Sequence, residues 1–440
     1  MHAAHGDTLA RHEEAPSLVS VRRSPAATPH PLHRLPEQSL WSSVGDSHFA
    51  MRSAFPVAQV QYRLMRILVR ATKASYQQTP VWVALTRQLP REPLLLTGAE
   101  EPIPAQLVEH HGKRYLVWIE PDLPRGGEKR YMLRPATAPL QGFEATRTEK
   151  SITLRHGGQP LTAYVYRDVP KPYLYPLYGP NGKPITRHFP MQVVPGESMD
   201  HPHHRSVWFT HGEVNGIDFW AEGAGKGTIV NRQIRRVEVG PVLARIEAQN
   251  DWLAPDGKKV CEETTEIIVY RAPHLVWFDY AVTIRASEGE VRFGDTKEGT
   301  FGVRVASSME VTRKQGGQIV NAAGQRDHDA WGKRAEWCDY TGPVEGEMVG
   351  IAIFDHPDNL RHPTYWHVRD YGLFAANPFG IHDFVPGTPK GTGDYLLKRG
   401  ESLTLRYRLC LHRGRTEEAN IAQHYQAFRY APEISFQRGR

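Results

Sequence analysis

A chain of 440 residues is long enough for two or three domains of ordinary size. With 40% hydrophobic and 23% charged residues its composition is that of a globular protein, and its longest apolar runs, such as Leu94–Leu96 and Ile351–Phe354, fall far short of the ~20 residues a membrane-spanning helix needs. The net charge of +6 comes from Lys and Arg scattered along the chain, which speaks against the clustered basic stripe that nucleic-acid binding requires.

Residues 1–60 show no sustained periodicity and include Pro-rich stretches such as Ser24–Pro31; a disordered extension is expected there. No charged start with an apolar core and cleavage site is present, and the three cysteines, Cys261, Cys338 and Cys410, are widely spaced. Both features point to the cytoplasm, where thiols stay reduced. Residues 65–135 carry short strand candidates, among them Arg66–Ala71, Val81–Leu85, Gln106–Glu109, Tyr115–Ile119 and Arg130–Leu133. Turn clusters containing Gly and Pro separate them, so a small β domain is expected.

From about 140 to 415 the same rhythm continues in longer strands. Thr264–Tyr270, Val276–Ile284 and Leu403–Leu409 are rich in β-branched and aromatic residues. Only residues 416–440 differ: Ala419, Ile421, Ala422, Tyr425 and Phe428 recur at helical spacing, which predicts a short C-terminal helix followed by a tail. The fold class expected is all-β, a large antiparallel β-sandwich with a small N-terminal β domain.

Candidate chemistry concentrates in three segments. Asp200–Trp220 holds four of the 22 histidines, where an even spread would place about one. If Arg205–Glu213 is extended, Arg205, Phe209, His211 and Glu213 share one face. Histidine titrates nearest neutrality, so His203, His204 and His211 are candidate acids or bases, with Arg205, Trp208, Asn215 and Asp218 as substrate contacts. The same segment allows a metal reading, with His203, His204, His211 and Glu213 as ligands. In the segment Phe293–Val305, Glu298 sits in a turn before a strand, where a carboxylate can serve as a base, and Arg304 follows it. In Phe354–Gly380, Trp366, His367, Arg369, Tyr371 and Asn377 combine rings with hydrogen-bonding groups, a mixture suited to the faces and hydroxyl edges of a sugar. No nucleotide-binding glycine loop or Gly-x-Ser-x-Gly elbow is present, and no cofactor is predicted outside the metal reading.

Four motifs, Asp200-His201-Pro202-His203-His204-Arg205, Asn215–Trp220, Asp295–Gly299 and Tyr365–Gly372, together with Lys171–Gly182, resemble the bacterial PmoA-like family, labelled methane oxygenase PmoA and otherwise a domain of unknown function. The resemblance covers roughly residues 75–430 and brings no established catalytic residues with it. The strand-rich layout is similar to the galactose-mutarotase-like supersandwich. That similarity implies sugar binding on a concave sheet face, with a His acid and a Glu base.

The function expected is therefore acid–base chemistry on a sugar ring, in the manner of a mutarotase or epimerase. A histidine from the cluster and Glu298 would exchange protons. The alternatives are a metal-dependent oxygenase or lyase and a non-catalytic carbohydrate-binding protein. The partner in the first reading is a small-molecule carbohydrate, with neither nucleic acid nor membrane involved.

Overall fold

The computed structural model of the protein describes residues 65–86, 89 and 93–438. The extension expected over residues 1–60 lies outside them. The described chain is mostly strand, arranged in two eight-stranded antiparallel sheets that face each other, a seven-stranded sheet and a two-stranded ribbon. Among the described residues no helix is long and apolar enough to cross a membrane.

The first sandwich sheet has the strand order Tyr365–Val368, Leu373–Asn377, Gly299–Arg304, Val207–His211, Tyr173–Leu174, Gln159–Val165, Ser151–His156 and Phe143–Arg147. The second runs Thr228–Val239, Leu243–Leu253, Lys259–Arg271, Leu275–Arg285, Ser402–Arg413, Glu347–Asp355, Trp337–Val344 and Gln318–Asn321. Side chains alternate between faces along a strand, so Ile267, Val269, Phe278 and Val282 enter the core between the sheets. Aromatic rings close it from both sides: Phe301 lies 4.9 Å from Tyr280 and stacks on Tyr407 at 4.8 Å, and Phe209 meets Trp252 at 6.3 Å. A carboxylate of Lys259–Arg271 enters this core. Glu263 accepts hydrogen bonds from Asn250, Trp252 and Thr265, which oppose but do not cancel the upward shift that burial gives its carboxyl.

The strands between Met65 and Pro135 form the seven-stranded sheet around a core that includes Leu94, Leu96, Trp118 and Tyr131. Its edge strand comes from the far end of the chain. Glu433–Arg438, where the sequence predicts a tail, pairs with Met65–Arg70 and sets Phe436 opposite Ile67. The preceding helix spans Ile421–Arg429. His424 takes the packed place expected of Ala422, which is exposed, and its ring stands edge-on to Trp277 at 5.1 Å.

Candidate active site

Both faces of the first sandwich sheet are covered. Core residues Val207, Phe209, Phe301, Val303 and Phe374 point to the second sheet, so the residues between them, Trp208, Thr210, Thr300, Gly302, Arg304 and Asn377, line the opposite, outer face. The register sets Trp208 between Tyr173 and Gly302. The indole lies directly over that glycine: a Cβ on Gly302 would come 2.7 Å from Trp208 Cζ2. Gly302→Ala is expected to lift the indole and to destabilise the fold by about 1–3 kcal/mol, read as a lowered midpoint of thermal unfolding.

Above Trp208 the loop carrying Asp200–Arg205 builds a column of four rings. His204 stacks on Trp208 at 5.3 Å, His201 on His204 at 4.7 Å, and Tyr371 on His201 at 5.1 Å, the last two pairs within 6° of parallel. His203 stands edge-on to His204 at 4.5 Å. Backbone conformation makes the stack: His201 (φ 43°) and Ser206 (φ 54°) adopt left-handed angles that bend the loop over the sheet before the strand begins.

Arg187, fully buried, donates to the backbone carbonyls of Phe189, Ser198, Asp200 and His201 and to Asp200 Oδ1 at 2.5 Å. Arg304, also fully buried, donates to Asp200 Oδ1 at 2.8 Å and to Glu310 at 3.2 Å. The other Asp200 oxygen meets His201 Nδ1 at 2.7 Å. Burial would raise the Asp200 carboxyl, but Arg304, His201 and Arg187 outweigh it and hold the group below its ordinary value. His201 is thus fixed through one nitrogen. Its ring is 40% exposed, and Nε2 makes no hydrogen bond among the described residues.

A second ionic chain flanks the column. Glu222 takes a bidentate bond from Arg205 at 2.8 and 2.7 Å and pairs with Lys171 at 3.0 Å. The Lys171 ammonium lies 5.8 Å from the Trp208 ring centre, and burial lowers its pKa to about 8. Burial also lowers His203 to about 4, helped by Lys171 and His201. It takes His204 well below its ordinary value, with His203 and Arg304 adding to the effect. These two rings are neutral at pH 7. Near Tyr371 lies a different kind of guanidinium: Arg369 sits 4.6 Å over the Trp331 ring and has no carboxylate partner among the described residues. Burial raises the Tyr371 phenol, while Arg369 and Arg304 pull it down and Glu298 and Asp200 push it up. His367 is buried, neutral, and lowered to about 3 by burial and then by Arg369 and Lys297.

The sequence-predicted residues divide sharply. His203, His204, Trp208, Arg304, His367, Arg369, Tyr371 and Glu298 share this outer face or the loops over it, and Arg205 supports it through Glu222. The strand expected over Arg205–Glu213 is only Val207–His211, so the proposed common face of Arg205, Phe209, His211 and Glu213 does not form. His211 points into the core, bonded to the Gly294 carbonyl at 2.7 Å and packed on Phe293 and Phe379. Glu213 follows the turn at Gly212 and pairs with Arg292 at 2.8 Å. The four metal ligands drawn from this segment are therefore not brought together. Trp366, expected to stack on a ligand, is in the core and donates to the Ala335 carbonyl. Asn215, Asp218 and Asn377 hold backbone. Asn215 bonds Arg292 N and the Glu290 carbonyl, Asp218 accepts from Trp220 N and Ala221 N, and Asn377 bonds the carbonyls of Thr296 and Lys297. Glu298 is 37% exposed and pairs with Lys297 at 3.2 Å.

Asp200, His201, Arg187, Lys171 and Glu222 were given no role in the site from the sequence. For the first two a signal existed, since an Asp directly before a His at a sharp bend can orient the ring. For Lys171 and Glu222 the sequence offered none, because the two meet from separate loops, and Arg187 bonds mostly to backbone carbonyls, which no residue type announces.

A model for a family described as of unknown function, DUF6807, matches residues 151–426, which take in all of the sandwich but its edge strand Phe143–Arg147, and the outer-face site. The PmoA-like label that the motifs suggested finds no support in that description. No curated protein matches the chain. Solved structures similar to it include a galactose mutarotase-like protein from Lactobacillus casei ATCC 334, with 10% identity, 61% of this chain and 100% of that one covered, and a TM-score of 0.30. A galactose mutarotase related enzyme from Lactobacillus acidophilus is similar at 9% identity, with 61% and 97% covered and a TM-score of 0.23. At such overlap the all-β assignment rests on the sheets themselves.

Proposed function

Since the chain belongs to the DUF6807 family, whose function is unknown, we propose its activity from the site alone: acid–base chemistry on the ring of a small sugar, in the manner of a mutarotase or epimerase. The observation that carries this reading is His201. Asp200 holds Nδ1 at 2.7 Å, rings pack on both faces, and Nε2 is offered outward. A histidine held in this way is a positioned proton donor or acceptor.

In a ring opening, Glu298 takes the proton of the anomeric hydroxyl as the bond between C1 and the ring oxygen breaks. His201, held through Nδ1 by Asp200, gives a proton to that oxygen. Closure on the other face of the carbonyl runs the transfers backwards, so protons and electrons balance without a cofactor. Tyr371, stacked on His201 with the Arg304 guanidinium 5.0 Å from its ring centre, braces the histidine, and Arg369, with no carboxylate partner among the described residues, takes a hydroxyl or a carboxylate of the substrate. We place the reaction in the cytoplasm, where the buried, free Cys261, Cys338 and Cys410 remain thiols.

The test is exchange NMR of anomeric signals across a panel of neutral aldoses and uronic acids. At least one sugar is expected to exchange anomers faster than in buffer, with the acceleration lost on His201→Asn. Binding without exchange would leave a carbohydrate-binding protein, and neither binding nor exchange across the panel would reject the sugar site.

A further inference from the structure

We propose that His110, His111 and Glu266 form a site for a divalent transition metal, on the opposite side of the sandwich from the ring column. It is the one group of three ligand-type side chains, among the described residues, whose ligand atoms lie within 4.8 Å of one another. The two histidines end a strand of the seven-stranded sheet, in the turn of the hairpin Ile103–His110 and Lys113–Leu123. That turn overhangs the outer face of the second sandwich sheet, from which Glu266 projects. All three residues line a cleft of about 780 Å³, whose other walls include Trp82, Tyr270, Asp279 and Arg408.

The spacing suits a small cation. Zinc bonds of ~2.0–2.1 Å in a tetrahedron set ligand atoms about 3.3 Å apart, and His110 Nε2 is already 3.0 Å from Glu266 Oε2. His111 has to approach by roughly 1.5 Å on the same geometry. Its position allows this: the residue is exposed, with φ 47° in the turn before Gly112, and its ring lies 4.0 Å from that of His110. Arg245 donates to Glu266 Oε1 at 2.6 Å from Nε. It orients the carboxylate and leaves Oε2 to the metal, as partners behind metal ligands commonly do. The guanidinium also lowers the site's attraction for a cation, which favours neutral imidazoles and a strongly bound ion such as Zn²⁺ over Mg²⁺ or Ca²⁺. Three protein ligands leave a fourth position open to the cleft.

The test uses full-length, tag-free protein stripped of metal and titrated with Zn²⁺ against a chromophoric chelator, with elemental analysis of the product. One zinc per chain is expected. His111→Asn, which keeps a residue tolerant of the left-handed backbone, is expected to weaken binding more than about tenfold, and His110→Gln to do the same. Circular dichroism melts confirm that both variants fold. No saturable uptake at micromolar zinc would overturn the site and leave an ordinary His–Glu–Arg network. Uptake that both variants retain would overturn it too, by placing the metal elsewhere. Neither outcome bears on the sugar reading, which rests on other residues.

Discussion

Asparagine in place of His201 is expected to lower kcat on an accepted sugar by about 10²–10⁴-fold, the contribution of one positioned acid or base, with little loss of stability. The ring is 40% exposed and its one hydrogen bond is to Asp200, which keeps Arg187 and Arg304. Asparagine also accepts the positive φ at this position. Asp200→Asn leaves His201 Nδ1 an oxygen to bond but takes from the buried Arg187 and Arg304 the carboxylate they share. It is expected to reduce kcat less than His201→Asn does and to lower the unfolding midpoint more. Steady-state kinetics with parallel melting curves separate these effects. Full turnover in His201→Asn alongside inactivity in His203→Ala would transfer the proton-handling role to His203.

Acid is expected to destabilise the protein well before its carboxylates titrate. His211, His367 and His424 are buried, and burial first of all holds them at about 4, about 3 and about 4, against an ordinary 6.5. Below pH 6.5 the unfolded chain therefore binds protons that the folded one refuses, and stability falls as pH falls. The loss is about 1.4 kcal/mol for each pH unit and each group. At pH 5.5 the three together cost roughly 4 kcal/mol, a large part of the ~5–15 kcal/mol typical of a folded protein. His203 and His204 act in the same direction.

His412 opposes them. Burial lowers it but Asp339, 3.0 Å away, outweighs burial and raises it, so its contribution is complete below pH 6.5 and fades as pH rises through its folded value. One such group does not offset five. The carboxylates held low, such as Asp200 and Glu222, lose their stabilising effect only on further acidification through their folded values. Urea unfolding at pH 7.5 and 5.5 checks the expectation; equal free energies at the two values would mean that the buried rings take up protons while folded.

The strands were legible because their patterns are local. In Leu275–Arg285 the alternation of Val276, Phe278, Tyr280 and Val282 with Asp279 and Thr283 states which residues enter the core. In Val207–His211 every residue is buried, since loops cover the outer face as fully as the second sheet covers the inner one. Alternation there gives two faces and does not say which holds the site, so His211 and Trp208 could not be told apart from sequence. The ring column was hidden for another reason. It depends on left-handed backbone at His201 and Ser206, where no glycine announces it, and on Arg187, whose partners are mostly carbonyls and leave no mark in a sequence. The final strand was missed because six residues after a helix carry too little pattern to announce a partner more than 360 residues away.

That last pairing has a consequence for biosynthesis. Met65–Arg70 carries Ile67, Leu68 and Val69, all buried in the finished protein, and one of its two hydrogen-bonding edges is satisfied only by Glu433–Arg438. A ribosome adding about 5–20 residues per second needs roughly 20–70 s to travel from one strand to the other. For that interval the nascent chain displays an open, apolar strand edge, the kind of surface that recruits other chains. In crowded translation that edge is where one nascent copy of this chain would pair with another before its own last residues arrive.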